Sequence, residues 1–240
     1  MKYVSVIQHT QSEWLGLIED HLEGRRIRFG YSRPFTPGGR LPDADVMGDG
    51  LILLGGGAWG ANGGRQLPTF EEEVRLARSC LMLERPVIGI GLGAQILAVA
   101  GDGQAEPGPL VFEVGTARRV KNEALNGFLP ATFPNVVYMR GTPIPPNYAQ
   151  VLAEDEQGRP ALWQIGSRAF GFSGHPGVKR AMIEDLIMEF GDDCPRDPAG
   201  GLEALVARKV EIEDALVAIM TGLIQLTGWM REDRAETDAS

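Results

Sequence analysis

The sequence predicts a single α/β domain built on a mostly parallel β-sheet. In the first half, short runs rich in Val, Ile and Leu alternate with stretches of helical periodicity, and this order is typical of parallel strands joined by helices. The second half contains shorter β segments, which predict an antiparallel extension of the same sheet. The chain of 240 residues is long enough to bury a substantial core, and it contains no internal repeat.

The first half predicts four strands and three helices. Residues 12–23 have a helical pattern in which Ser12 is a candidate N-cap, apolar side chains share one face and Gly24 is a stop signal. Residues 70–83 repeat apolar side chains at the same spacing. The third helix follows a run of glycines and extends to about residue 100. The strands are predicted at residues 3–8, 26–30, 50–54 and 86–90.

The second half predicts short strands and then two helices. Residues 178–190 have helical spacing, and residues 202–226 form a long amphipathic helix with one apolar stripe. We expect one domain over residues 1–230, with a C-terminal helical segment at 202–228 and a disordered tail at 231–240. The strands are predicted at residues 110–114, 135–139, 161–165 and 169–172.

Composition narrows the range of partners. The net charge is −9, and residues 184–240 carry the whole excess, with 14 acidic and five basic side chains. We interpret this segment as a solvated helical face and tail, or alternatively as a docking surface for a basic partner. An acidic chain is not expected to bind nucleic acid or an anionic membrane. With only two cysteines and no run of 18 apolar residues, we expect a cytoplasmic protein.

The most informative stretch is a strand–turn–helix pattern at residues 87–95, which reads V-I-G-I-G-L-G-A-Q. A sharp glycine turn of this kind has two common uses. In one, Gly89, Gly91 and Ala94 match a dinucleotide-binding fingerprint, with Glu113 as the acid that binds the ribose. In the other, the tip of the turn presents a nucleophile, and nearby backbone N–H groups stabilise an oxyanion.

Three motifs, in order along the chain, resemble class I glutamine amidotransferases. The G-I-G-L-G-A-Q turn at 89–95 resembles the family elbow G-I-C-L-G-x-Q, and L-L-G-G-G at 53–57 resembles the glycine-rich oxyanion strand end. A-F-G-F-S-G-H-P-G at 169–177 resembles the A-x-G-x-Q-F-H-P-E segment. The final helix is similar to that of the stand-alone, GMP-synthase-like branch, so the resemblance covers roughly residues 3–228. It implies a flavodoxin-like three-layer sandwich.

The resemblance also assigns roles to single positions and reveals two departures. His175 stands at the position of the catalytic histidine, whereas Gly91 replaces the family cysteine and Gly177 replaces the glutamate of the triad. Without a thiolate nucleophile, the thioester route to glutamine hydrolysis is closed. The residues whose groups are expected to contact a ligand are Gly55, Gly56, Gly57, Leu92 and Gln95.

These departures favour a catalytically degenerate member that binds a small amide or carboxylate ligand, or a protein partner, without hydrolysing it. The C-terminal helix would then provide the surface for a partner or a second copy. One alternative is an active amide or γ-glutamyl-amide hydrolase, in which His175 acts as base on a water or on Ser173. Another is a module that binds haem or a metal through His175, or a dinucleotide, although we predict no cofactor. An engineered Cys→Gly replacement would explain Gly91 but not Gly177.

The other reactive side chains are expected to be structural. Cys80 falls in the middle of a predicted helix and Cys194 in a connector, so neither is the elbow cysteine. His9 is expected to cap or pack at a strand end, and His21 to lie on a helix surface. Thr142 occupies a position where related proteins have a loop near the active site, which makes it a candidate for ligand contact.

Overall fold

The computed structural model describes residues 1–63 and 65–230, so the tail predicted at 231–240 lies outside the described residues. The strands are β1 (Tyr3–Ile7), β2 (Arg28–Ser32), β3 (Gly50–Leu53), β4 (Val87–Ile90), β5 (Gln104–Arg119), β6 (Thr132–Ile144), β7 (Gln150–Glu154), β8 (Pro160–Ile165) and β9 (Ala169–Phe172). The helices are α1 (Ile18–Glu23), α2 (Phe70–Met82), α3 (Leu92–Ala100), α4 (Arg180–Glu189), α5 (Pro198–Ala207) and α6 (Lys209–Thr227).

The strands form one sheet in the order β2-β1-β3-β4-β9-β8-β7-β5-β6. The first five strands in this order pair in parallel, and the remaining pairs are antiparallel. The predicted parallel sheet with an antiparallel extension is therefore confirmed. Because parallel strands end at the same edge of a sheet, the residues that follow β1, β3, β4 and β9 converge there.

Helices cover both faces of the parallel part and give three layers. Successive strand residues point to opposite faces, so Val6 and Ile52 lie in one core while Ile7 and Leu53 lie in the other. The first core packs against α1 and α6, and the second packs against α2 and α3. The flavodoxin-like three-layer sandwich is confirmed. Within the described residues, no helix is long and apolar enough to cross a bilayer.

The antiparallel part is larger than the sequence predicts. The segments predicted at 110–114 and 135–139 are the middles of two long strands, β5 and β6, which pair along most of their length. A register shift between Glu106 and Leu110 interrupts the pairing. Both strands carry Pro and Gly residues, and much of β5 is exposed to solvent. The hydrophobic alternation in their sequences is therefore weak. The strand β7 was not predicted.

The helix predicted at 12–23 is wrong in its first half, because α1 begins only at Ile18. Ser12 is not its N-cap, and Gly16 has a left-handed backbone with φ +62°, which interrupts a right-handed helix. The chain at residues 10–17 is instead irregular and packs over the carboxyl edge of the sheet. We call residues 10–17 the inserted segment.

The predicted C-terminal helix is divided into α5 and α6 at Arg208. The guanidinium of Arg208 donates to the carbonyl of Gly115 (2.5 Å) and to the hydroxyl of Thr116 (3.0 Å), and thereby ties the junction to β5. The apolar stripe of α6 does not face outward, since Leu216, Ile219 and Leu223 are buried in the core. Burial of such side chains stabilises the fold by about 1.5–3 kcal/mol each.

The turn between β4 and α3 depends on a close approach at Gly93. A Cβ atom there would lie 2.1 Å from the carbonyl oxygen of Leu53. We expect Gly93→Ala to lower the free energy of unfolding by about 1–3 kcal/mol, because the backbone of β3 must shift. Urea denaturation measures the change. Gly115→Ala is the matched control, since a Cβ there meets nothing, and an equal loss in both variants would contradict the prediction.

Candidate functional site

The turn after β4 has the geometry of a strained elbow. Gly91 has φ +56° and ψ −114°, and its N–H donates to the carbonyl of Phe172 (2.9 Å). The carbonyl of Gly91 accepts from the N–H groups of Ala94 (3.0 Å) and Gln95 (3.2 Å), which start α3. A Cβ on Gly91 would meet the Cα of Gly55 at 3.4 Å, an ordinary contact. The elbow therefore has room for a small side chain, although the backbone conformation disfavours one.

A second turn, at Gly55–Gly57 after β3, lies beside the elbow; we call it the glycine turn. Gly57 has φ +54°, and its N–H donates to Oε2 of Glu13 at 3.2 Å. A Cβ on Gly55 would lie 1.8 Å from Oε1 of Glu13, so the carboxylate is pressed against this turn. Turns of this type collect backbone N–H groups and favour an anion. The glycine turn is thus occupied by a carboxylate of the chain itself.

Glu13 is a buried acid in an unusual electrostatic setting. Burial raises the pKa of Glu13 to about 7, although the backbone N–H groups of Gly57 and Gly55 and the nearby His9 favour the ionised form. The N–H of Glu13 donates to the hydroxyl of Thr10 (3.0 Å), which fixes the backbone on which the side chain is carried. Burial and the hydrogen bonds to its carboxylate therefore act in opposite directions on the pKa of Glu13, and burial has the larger effect.

A buried ion pair supports the glycine turn from behind. Nδ1 of His9 donates to the carbonyl of Gly55 (3.0 Å), and Nε2 contacts Oε2 of Glu73 (2.7 Å). The other oxygen of Glu73 accepts from the hydroxyl of Thr69 (2.6 Å). Burial acts to lower the pKa of His9, but the Glu73 carboxylate and the Gly55 carbonyl outweigh it and raise that pKa. The sequence predicted capping or packing for His9, and here it holds the turn in place.

His175 is buried, and both of its ring nitrogens have partners. Nε2 lies 2.9 Å from the carbonyl of Trp14, so Nε2 carries the proton and donates. Nδ1 accepts from the N–H of Gly177 (3.1 Å). Burial lowers the pKa of His175 to about 4, although its hydrogen bond to Trp14 opposes the shift. The ring is consequently neutral at pH 7.

Gly177 has no space for a side chain. A Cβ there would lie 2.8 Å from Cγ1 of Ile18 and 3.0 Å from its backbone nitrogen. The carbonyl of Gly177 accepts from the N–H of Leu17 (2.8 Å), and a Cβ on Gly16 would approach that same carbonyl to 2.1 Å. Ile18, at the start of α1, therefore occupies the volume that a larger residue at position 177 would need.

A small cavity joins these groups. Its volume is about 10 Å³, which is room for no more than one water. It is bordered by Gly91, Ser173, His175 and Glu13, and its remaining walls are Ile90, Val136, Tyr138, Val178, Met182, Ile183 and Leu186. The structure therefore brings Gly91, Ser173, His175 and Glu13 together but leaves no open pocket between them.

The other predicted ligand contacts are engaged within the fold. The hydroxyl of Ser173 donates to the carbonyl of Pro160 (2.6 Å). The amide of Gln95 donates to the carbonyl of Arg140 (2.8 Å) and accepts from the N–H of Ala61 (3.3 Å). The side chain of Leu92 covers Gly56, where a Cβ would come within 2.4 Å of Leu92 Cδ2. Thr142 lies in β6 opposite Glu106.

Residues outside the cavity show no such grouping. Glu113 lies on β5, four strands from β4 in the sheet. At ~4.8 Å per strand, the two strands are about 19 Å apart. The carboxylate of Glu113 pairs instead with Arg159 (3.1 Å). Cys80 is buried, which raises the pKa of its thiol to about 12, whereas Cys194 is exposed. His21 contacts Arg25. In the described part of the chain, no three His, Cys, Asp or Glu side chains are placed to hold a metal.

Sequence reasoning missed Glu13, Trp14 and Tyr138. Glu13 and Trp14 were assigned to a helix because the apolar residues around them repeat at helical spacing. The signal that could have identified them is Gly16, a glycine inside a predicted helix just after a parallel strand. Tyr138 was predicted only as part of a strand.

The pKa of Glu13 predicts a pH-dependent stability difference between the wild type and Glu13→Gln. A carboxyl group whose pKa rises from 4.5 to about 7 on folding stabilises the protein below pH 4.5, and that contribution is lost by about pH 7. The wild type should therefore lose on the order of 3 kcal/mol relative to Glu13→Gln over this range. Urea unfolding at several pH values measures it. His175, whose pKa shift acts in the opposite sense, is present in both proteins, and a constant difference would contradict the prediction.

Comparisons with known proteins agree with this architecture. No family model matches the chain. It is 31% identical over 225 residues to the glutamine-hydrolyzing GMP synthase of Aeropyrum pernix, a match that covers 86% of this chain and 41% of that protein. It is 33% identical over 108 residues to a glutamine-hydrolyzing GMP synthase subunit of Methanothrix thermoacetophila, a match that covers 45% of this chain and 46% of the other. The chain thus spans less than half the length of these curated relatives.

Solved structures share the fold over nearly the whole chain. A glutamine amidotransferase from Thermotoga maritima superposes with a TM-score of 0.80 at 21% identity, covering 94% of this chain and 98% of the other. A glutamine amidotransferase from Methylobacillus flagellatus superposes with a TM-score of 0.81 at 22% identity, covering 100% of both. The chain is therefore similar in sequence to part of these GMP synthases and has the same fold as these two glutamine amidotransferases.

Proposed function

We propose that this chain is a catalytically degenerate glutamine amidotransferase-like protein, which binds a small ligand or a protein partner without hydrolysing glutamine. The observation that carries the proposal is the Glu13 carboxylate on the glycine turn, next to an elbow that has no side chain. A substrate oxyanion would need the N–H groups that Glu13 already uses. The covalent route would need a thiolate at position 91, where the chain has glycine.

The contacts of His175 count against hydrolysis through a substitute base. A general base must accept a proton from a water or a hydroxyl, yet Nε2 of His175 is a donor to Trp14 and Nδ1 is engaged by Gly177. Ser173 donates to Pro160, so its hydroxyl is not activated by the imidazole. The hydrogen bonds of His175 to Trp14 and Gly177 also leave it no free ring nitrogen for a haem or a metal.

The surroundings of Gly177 favour a natural loss of the triad acid over an engineered change. A side chain at position 177 would collide with Ile18, which is buried in the core. Removing a nucleophile by design would change position 91 and leave the neighbourhood of position 177 untouched. The chain is instead adapted to glycine at position 177.

We further propose that the C-terminal helices provide an assembly surface. The apolar stripe of α6 is buried in the core of this chain, but the side chains of Val206, Val210 and Val217 are about half exposed or more. A relative that matches part of this chain is named as a GMP synthase subunit, and one solved structure is of PurLQS from Thermotoga maritima. A protein partner or a second copy is therefore the macromolecular ligand we propose, in a cytoplasmic setting.

A glutaminase assay tests the proposed function. The wild type should release ammonia from glutamine at least about 10⁴-fold more slowly than ordinary enzymes, which turn over at about 1–10³ s⁻¹. Gly91→Cys should remain inactive, because Glu13 still fills the glycine turn and Trp14 still holds His175. Gly91→Ala controls for the backbone strain without adding a thiol. Turnover by the wild type in the ordinary range would contradict the proposal.

The assembly surface can be tested separately. The double variant Val210→Lys/Val217→Lys should abolish self-association or partner capture, since it replaces two exposed apolar side chains of α6 with charged ones. Light scattering after size-exclusion chromatography measures the mass, and Val120→Lys is a control at a similarly exposed valine elsewhere. If the wild type and both variants have the same mass and bind the same partners, this surface is not the interface.

A further inference from the structure

One short stretch of chain closes the pocket through two separate contacts. Glu13 accepts from the N–H of Gly57, and the carbonyl of the next residue, Trp14, accepts from Nε2 of His175. The glycine turn and the imidazole approach the elbow from different strands, β3 and β9. Both are satisfied by adjacent residues of the inserted segment, so both become available only if this segment moves.

The volume beside the glycine turn is shaped for a carboxylate. The two oxygens of Glu13 lie 1.8 Å and 2.6 Å from where a Cβ of Gly55 would stand, so any residue but glycine would expel the carboxylate. Gly57, with its left-handed backbone, donates its N–H to Oε2 of the same carboxylate. The chain thus holds a carboxylate side chain as a binding site would hold a free carboxylate.

Among the described residues, the carboxyl group of Glu13 leaves one polar group at the cavity, the hydroxyl of Tyr138, without a hydrogen bond. Tyr138 borders the same cavity and is only 7% exposed, yet its hydroxyl has no hydrogen-bond partner in the described structure. A buried hydroxyl without a partner costs free energy. An occupant that reaches beyond the position of the Glu13 carboxyl could accept from this hydroxyl, which Glu13 does not.

The inserted segment has no regular secondary structure, so no helical or sheet hydrogen bonds hold it in place. Leu15 is anchored in the core, so the displaceable part is residues 10–14. The carboxylate of Glu189 holds this part through the N–H groups of Gln11 (3.2 Å) and Ser12 (3.0 Å).

We propose that Glu13 is a built-in competitor for the ligand of this pocket, and that the ligand is a small carboxylate with a second hydrogen-bond acceptor. The inference rests on the proposed ligand-binding function and adds its control. In the closed state Glu13 fills the glycine turn and Trp14 holds His175. In the open state a free carboxylate takes the N–H groups, its second acceptor meets Tyr138, and His175 is released. Because only open molecules bind the ligand, the apparent affinity is the intrinsic affinity multiplied by the fraction of molecules that are open.

Binding of glutarate, a five-carbon dicarboxylate, tests the competition by calorimetry at constant ionic strength. Glu13→Ala should bind glutarate at least about tenfold more tightly than the wild type, because the competing carboxylate is gone. Glu113→Ala, which removes an exposed carboxylate paired with Arg159, should bind as the wild type does. Equal affinity of the wild type and Glu13→Ala would overturn the competition, and absence of binding to Glu13→Ala would overturn the carboxylate site.

Two further measurements keep the inference testable if Glu13→Ala does not fold. Glu13→Gln has the same shape with a neutral amide, and it should bind glutarate with an affinity between those of the wild type and the alanine variant; no gain over the wild type would overturn the inference. Tyr138→Phe should leave the unbound protein as stable, since the hydroxyl has no partner in the described structure, but weaken glutarate binding several-fold. These readouts are independent of ammonia release, so glutaminase activity would refute the proposed function without deciding the competition.

Discussion

The contact between the Glu13 carboxylate and the glycine turn determines how the rest of the pocket is arranged. The turn presents N–H groups to one point and favours negative charge there. In this chain the inserted segment provides that charge, and the segment can reach the turn only by lying across the carboxyl edge of the sheet. Its path then brings the Trp14 carbonyl to His175 and the N–H of Leu17 to the carbonyl of Gly177. The same path brings Gly16 so close to Gly177 that a Cβ on Gly16 would lie 2.1 Å from the Gly177 carbonyl oxygen.

The sheet explains why these residues meet at all. β1, β3, β4 and β9 are neighbours and run in parallel, so the inserted segment, the glycine turn, the elbow and the stretch from Ser173 to Gly177 leave the sheet at one edge. The buried pair of His9 and Glu73 fixes the turn from behind by holding the carbonyl of Gly55. A buried ion pair of this kind is sensitive to the loss of either partner. The position of the glycine turn therefore depends on α2 as well as on β3.

Much of the fold could be predicted because its signals are local. The parallel strands are short apolar runs bounded by glycines, and α2 and α3 have clear periodicity. The long strands β5 and β6 were predicted only in part, because β5 faces solvent along much of its length and carries little hydrophobic alternation. The break at Arg208 depends on hydrogen bonds to β5, a partner about 90 residues away that no local pattern indicates.

The site was predictable where motifs mark it and unpredictable where tertiary contacts fill it. The positions of Gly91 and His175 at one cavity follow from the order of the motifs along the chain. The role of Glu13 does not, because residues 12–23 have the spacing of a helix. Tertiary contacts, among them those with Gly57, His175 and Gly177, hold residues 10–17 out of that helix. Here tertiary hydrogen bonds override local helical propensity.

The two glycines that distinguish this chain from the family pattern differ in their physical consequences. At Gly91 the space for a Cβ remains, and the cost of a side chain is limited to its left-handed backbone, on the order of 1–3 kcal/mol. At Gly177 a Cβ would collide with Ile18 of α1, whereas the inserted segment contributes only the carbonyl of Leu15 at 3.4 Å, an ordinary contact. A larger residue at position 177 would therefore require the start of α1 to shift. The space at position 91 is open to a small side chain, and the space at position 177 is closed by packing.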